Sequence, residues 1–220
     1  MPSPPRSSAL QSAYKTLQYS HESASSFLDI YFEATSARGP GAPTHEDQDL
    51  LRAAIVFVGA GVDACLKQSI KDALEDAIAA FPEAQDGFCK FVERRLKGES
   101  QIAIARELSE TLVSLRPREH LLKKYQRSLT GSSLQSLGEI QKIFEVFGCN
   151  KLSKSHEAEI KKALEIRNKI IHELDMDFES PNRNRTSRRW RDIILACEAL
   201  QKVAIELIKS IDGRIVESLK

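Results

Sequence analysis

AAIVFVGAGVDACL, residues 53–66, admits two readings that lead to different folds. IVFV followed by Gly59, Ala60 and Gly61 could be a buried strand entering a glycine-rich phosphate loop, the start of a nucleotide fold. Such a loop needs a third glycine and an alternation of strands and helices around it, and the chain offers neither. Followed outward, Ile55, Val58, Val62, Leu66 and Ala73 recur at helical steps and share one face of a long helix from Asp49 to Phe81. The periodicity decides for helix.

The rest of the chain reads the same way. Residues 1–8 (MPSPPRSS) are expected to be a disordered tail, and 9–36 a helix with a serine-rich face. ARGPGAPTHED, 37–47, is a breaker cluster. Helices are predicted at 84–97, 100–115, 117–128, 133–147 and 155–175. DFESPNRNRTS, 177–187, interrupts the pattern. A final amphipathic helix over 188–211 turns Ile193, Ile194, Cys197, Leu200, Ala204 and Leu207 inward. No repeat and no strand alternation competes. The expected fold class is all-α, with a tail (1–8), an N-terminal helix and loop (9–48) and a helical domain over 49–215.

Composition narrows the function. With 41% hydrophobic and 29% charged residues the chain has ample material for a core. A net charge of +1 leaves nucleic-acid affinity to a local patch, not to bulk basicity. Cys65, Cys89, Cys149 and Cys197 lack paired spacing, which argues against a zinc site or a disulfide framework and for a reducing, cytoplasmic setting. The longest apolar run, 53–62, meets Asp63 after too few residues to span a bilayer, so no membrane association is expected. No metal-ligand spacing or serine-hydrolase elbow is present, and no cofactor is expected.

EIRNKIIHEL, 165–174, carries the most informative anomaly. Ile160, Leu164, Arg167, Ile171 and Leu174 form one predicted stripe, and a permanent cation sits at its centre. A buried guanidinium needs an anionic partner or a solvated cavity. One option is structural: an acid on a neighbouring helix, with Asp63 beside Gly59 and Gly61 as candidate. The other is functional: a charge held at the bottom of a cleft for a phosphate. Asn168 and His172, four residues apart, lie on one flank of the same helix. Arg167 and His172 are roughly 140° apart around the axis, so they meet only across a wide pocket.

Arg167, Asn168 and His172, on the penultimate helix of an all-α chain, resemble the motif of the HEPN superfamily: an arginine, a polar residue directly after it, and a histidine separated from the arginine by four to six residues. The resemblance covers about 49–211. It implies a multi-helix bundle whose long first core helix carries an acid on its inner side, the place of Asp63 here. It further implies a metal-independent endoribonuclease acting as a homodimer with a composite active site. In that reading His172 exchanges protons with the 2′-hydroxyl or the leaving 5′-oxygen, Arg167 holds the phosphate oxygens, and Asn168 orients the histidine. Single-stranded RNA would be cut to 2′,3′-cyclic phosphate and 5′-hydroxyl ends. The setting implied is a defence or toxin system, with an antitoxin or sensor as possible partner. The tyrosine that follows the histidine in toxins controlled by a nucleotidyltransferase is missing from HELDMDF, which puts that control in doubt. The alternative is a non-catalytic HEPN-like module that binds RNA or protein, with Arg167 in an internal ion pair. Arg38 and His45 match the spacing too, but they flank a Gly/Pro loop with no helix beneath.

PNRNRTSRRWRD adds Arg183, Arg185, Arg188, Arg189 and Arg191 around Trp190, directly after the motif helix. Two readings stay open: a strap for an RNA backbone with an indole to stack on a base, or a solvated loop with Trp190 anchoring the last helix.

Overall fold

His45–Ala80 is one unbroken helix of 36 residues, and the other helices are laid around it. The structure, a computed structural model, describes residues 2–39, 41–97, 100–150, 152–179 and 181–218. In chain order the helices are α1 (Gln11–Arg38, after a single 3-10 turn), α2 (His45–Ala80), α3 (Pro82–Leu96), α4 (Gln101–Val113), α5 (Pro117–Thr130), α6 (Leu137–Val146), α7 (Lys154–Glu173) and α8 (Trp190–Ser218). Among the described residues there is no strand, and the one β-bridge joins Met176 to Arg185. The protein is all-α, as its periodicity predicts.

Local chemistry sets the helix starts. Thr44 and Asp47 form a reciprocal capping box on α2, and Ser100, Ser136 and Ser153 cap α4, α6 and α7 with their hydroxyls. Pro82 and Pro117 occupy the first position of α3 and α5, where a missing N–H loses nothing. Arg38, the last residue of α1, clamps Asp47 through two bonds of 2.7 and 2.8 Å. Those bonds, with the Thr44 backbone N–H, hold the Asp47 carboxyl down at about 2. The Arg38–His45 spacing match is thus a helix-to-helix connection, with its arginine occupied.

α1 and α2 run antiparallel along their length, with Arg38 against Asp47, Phe27 against Phe57 and Ser20 against Gly61. α1 buries Ala13, Leu17, Ala24 and Tyr31 in the same core as α2, although the sequence places 9–48 outside the helical domain. α7 and α8 complete the main bundle, while α3 and α5 pack against α2, α4 against α3 and α5, and α6 against α3 and α7. The expected inner face of α2 is buried in full: Ile55, Val58, Val62, Leu66 and Ala73. Cys65 and Cys197 lie in the core, where burial pushes each thiol up to about 12.

Two segments differ from expectation. Of the stretch expected as a disordered tail, the described residues 2–8 meet α8, with the Ser7 N–H donating to Asp212 at 2.7 Å and Pro5 buried. α8 continues past residue 211, through the helix-weakening Asp212-Gly213 pair, because tertiary contacts hold its last turns. Arg214 pairs with Glu83 at 2.8 Å, lies 4.2 Å from the centre of the Phe81 ring, and donates to the Phe147 carbonyl, while Ile215 is buried.

Ser20 and Gly61 mark the closest approach of α1 and α2: a Cβ on Gly61 would fall 2.1 Å from the Ser20 Cβ. Gly61→Ala is expected to destabilise the protein by about 1–3 kcal/mol through overpacking. In a Ser20→Gly background most of that penalty should disappear, as a double-mutant cycle in urea would show; an unchanged penalty would mean that the helices separate freely there.

Candidate active site at the end of helix 7

The motif helix begins under the Ser153 cap and buries Ile160, Ala163, Leu164, Ile166, Arg167 and Ile170. The buried stripe is therefore rotated from the predicted one. Ile160, Leu164 and Arg167 hold their places, but Ile170 faces inward while Ile171 and Leu174 are 37% and 70% exposed. The cause is the end of the helix. Leu174 and Asp175 both adopt left-handed backbone, with φ of 51° and 60°, and Asp175 N–H closes back on the Lys169 carbonyl at 3.0 Å. A non-glycine residue in that region is strained, so something must hold the turn.

Asp175 does so. Its carboxylate is fully buried and accepts from Arg52 Nε of α2 at 3.0 Å and from Arg188 Nε at 3.1 Å. Arg52, itself buried, also donates to the Thr186 carbonyl at 2.8 Å and pairs with Asp49 at 3.0 Å. Gln48 bonds both backbone groups of Arg188, and Arg185 reaches Asp49 at 2.7 Å. Between these anchors the 177–187 segment doubles back on itself, with Asp177 N–H bonded to the Asn184 carbonyl and Thr186 N–H to that of Asp175. Arg52 and Asp175 escape the sequence reading. Arg52 could have been found by the signal that flags Arg167, since it sits one step before Ile55 on the apolar stripe of α2. Nothing local marks Asp175.

Arg167 is the second buried arginine of α2–α7, and its surroundings are different. Its stem lies across Gly59, where a Cβ would meet Arg167 Cγ at 3.2 Å and Nε at 3.3 Å. The absent side chain of Gly59 is what lets the guanidinium into the interface. One Nη donates to Asn168 Oδ1 at 2.9 Å, and Nε is buried with no hydrogen-bond partner. Among the described residues no carboxylate lies within ion-pair distance of it. Asp63, the expected supporting acid, faces elsewhere: it pairs with Lys67 at 2.9 Å and accepts the Leu134 N–H at 2.7 Å. Burial lowers the pKa of Arg167, and the more distant charge of Asp63 opposes that only in part.

His172 lies one and a half turns further on and is exposed in the last turn of α7. The structure thus brings Arg167 and Asn168 together, leaves Asp63 as a neighbouring charge, and holds His172 apart at the surface. Ile171 and Leu174, close to it in sequence, and Phe178 (58% exposed) in the loop that follows leave apolar side chains uncovered. Of the arginine cluster, Arg185 and Arg188 are engaged in the Asp49 and Asp175 pairs. Trp190 packs edge-on against Phe32 at 5.3 Å, as the anchoring reading requires, with Arg191 over its ring at 5.1 Å. Arg183, Arg189 and Arg191 are exposed.

An all-α bundle with a long core helix, and an arginine–asparagine pair followed by a histidine on its penultimate helix, defines a HEPN-type domain. The family model described as RiboL-PSP-HEPN matches residues 16–216, and the chain belongs to that family. The match takes in nearly all of α1. No curated protein and no solved structure matches the chain. No helix among the described residues is long and apolar enough to cross a membrane.

A buried cation without a counter-charge is a liability to the fold. Arg167→Met, which keeps the stem and removes the charge, is expected to stabilise the protein by about 1–4 kcal/mol. Thermal or urea denaturation measures it. Destabilisation of that size would show Arg167 to be part of the framework.

Proposed function

We propose that the protein is an endoribonuclease that cleaves single-stranded RNA by attack of the substrate's 2′-hydroxyl, leaving 2′,3′-cyclic phosphate and 5′-hydroxyl ends. The observation that carries this reading is the contrast between the two buried arginines. Arg52 is saturated by carboxylates and a carbonyl, whereas Arg167 keeps an unmatched charge beside Asn168. A guanidinium already stripped of water, with donors to spare, suits the charge that builds on non-bridging phosphate oxygens in the transition state. Asn168 fixes one edge of its fork and can donate a further bond. His172, exposed and within reach of a bound strand, takes the proton of the attacking hydroxyl or returns one to the departing 5′-oxygen.

One chain supplies one imidazole, and the reaction needs both a base and an acid. In this proposal a second copy docks over the apolar surface formed by Ile171, Leu174 and Phe178, bringing a second His172 to the same phosphate. Arg183, Arg189 and Arg191 then lie beside the site for the flanking strand. A defence or toxin role, and an antitoxin or sensor partner, belong to this proposal through the family alone.

The test is incubation of purified protein with single-stranded RNA in EDTA, with both new ends mapped. His172→Ala is expected to slow cleavage by about 10²–10⁴-fold, and Arg167→Met by about 10²–10³-fold, each protein remaining folded. A 2′-deoxy substitution at the cut site should block it. A wild-type dimer that leaves RNA intact would favour the non-catalytic binding module. Replacing Arg183, Arg189 and Arg191 together by Gln should flatten the dependence of log affinity on log salt by about 0.7 for each phosphate that is no longer neutralised. An unchanged slope removes the strap and leaves the motif chemistry in place.

A further inference from the structure

On the far half of the bundle, α3, α5 and α6 enclose a groove of about 460 Å³. Lys90, Arg94 and Arg95 come to it from α3 and Lys142 from α6, with Phe91 and Tyr125 at its wall, and no acidic residue lines it. Lys90 is paired with Asp86 at 2.6 Å. Among the described residues, Arg94, Arg95 and Lys142 have no carboxylate within ion-pair distance. Basic residues in the last turn of a helix favour its negative end, which accounts for Arg94 and Arg95 locally. It does not account for Lys142, which arrives from another helix with the same sign. Like charges converging on one concavity repel, and the arrangement makes sense when an anion lies between them.

A second feature points the same way. Tyr125 is 4% exposed and lines the groove, and its hydroxyl, which is not a sealed atom, makes no hydrogen bond to another described residue. Gly87, in the interior of α3 where glycine is unfavourable, leaves the space it occupies: a Cβ there would lie 3.1 Å from the Tyr125 hydroxyl oxygen. Burial raises the pKa of this phenol and the Arg94 charge draws it partly back. The group therefore faces the groove as a neutral O–H donor.

We propose that this groove binds a ligand carrying adjacent phosphate groups, held by the guanidinium forks of Arg94 and Arg95, the ammonium of Lys142 and the Tyr125 hydroxyl. Three unpaired cations call for two to three negative charges in a small volume. Two linked phosphates supply these, and planar guanidinium pairs with their oxygens through parallel bonds. The volume fits a small ligand. The same chemistry is carried by a free nucleoside diphosphate and by a 5′-phosphorylated RNA end. The site shares no residue with the α7 motif, so it stands or falls independently of RNA cleavage.

Calorimetric titration of the full chain with inorganic pyrophosphate at low ionic strength tests the proposal. Saturable binding at one site per chain is expected, weakened about tenfold or more by Arg94→Gln and by Lys142→Gln, each removing a charge-assisted contact. Tyr125→Phe should weaken it less, and Lys15→Gln, on α1, not at all; melting curves establish that each variant is folded. Displacement of pyrophosphate by ADP supports a nucleotide as occupant, and displacement by a 5′-triphosphorylated oligoribonucleotide but not by ADP supports an RNA end. Absence of saturable binding, full retention in the Arg94→Gln/Arg95→Gln/Lys142→Gln triple variant, or equal displacement by an oligoribonucleotide with a 5′-hydroxyl overturns the proposal.

Discussion

Asp175 is a fully buried carboxylate between two arginines, and the geometry of the motif end of the molecule depends on it. It accepts from Arg52 in the N-terminal part of α2 and from Arg188 just before α8, so one side chain ties the end of α7 to α2 and to the start of α8. Taking three charges out of water is unfavourable, and a buried ion cluster of this kind is weak evidence for stability. Its worth is geometric. Leu174 and Asp175 adopt a backbone that glycine would adopt without strain. The carboxylate fixes them there, because losing that turn would leave the buried Arg52 with only the more exposed Asp49 as counter-charge. The turn ends α7 directly after His172 and decides which way the following loop departs.

The two buried arginines of the α2–α7 region then have opposite relations to the fold. Arg52 is satisfied on three sides and reads as framework. Arg167 is admitted by the bare backbone of Gly59 and held by Asn168, with no acid brought to meet it. Asp63 illustrates the difference. It sits one turn beyond Gly59 on α2, yet its oxygens bind Lys67 and cap the Leu134 backbone instead. A retained, unmatched guanidinium is what the proposed phosphate chemistry requires.

The helices were legible because their apolar periods are long and breaker segments such as 37–47 and 177–187 interrupt them. The rejection of a nucleotide fold at Gly59-Ala60-Gly61 rested on the same periodicity, and those glycines turned out to serve helix approach. Arg167 was legible because a charge at the centre of an apolar stripe is anomalous wherever it is met. What could not be read was set by residues remote in sequence. The rotation of the stripe at Ile170 follows from a turn stabilised by Arg52, more than a hundred residues earlier. The continuation of α8 past Gly213 follows from Glu83 and Phe81, and the occupation of Arg185 and Arg188 from acids on α2 and in the turn. A composition-level reading sees five arginines near Trp190. Only tertiary contacts separate the two that build the loop from the three left at its surface.

That separation bears on how the proposed site would work. Arg188 and Arg185 fix the loop, so Arg183, Arg189 and Arg191 are presented from a frame that need not reorganise when a strand arrives. His172 is positioned by the same frame: the Asp175 turn follows it at once, and Ile171 and Leu174, next to it in the chain, are exposed, as is Phe178 in the following loop. Apolar surface near the proposed proton-exchanging group is poorly suited to a polyanion. It is well suited to a second copy of the same helix end, whose burial there would exclude water around the imidazole pair and strengthen the pull of Arg167 on a bound phosphate. In the proposed dimer the unmatched cation, the strained turn and the exposed apolar side chains would answer one requirement, that each chain carry half of a site completed by its twin.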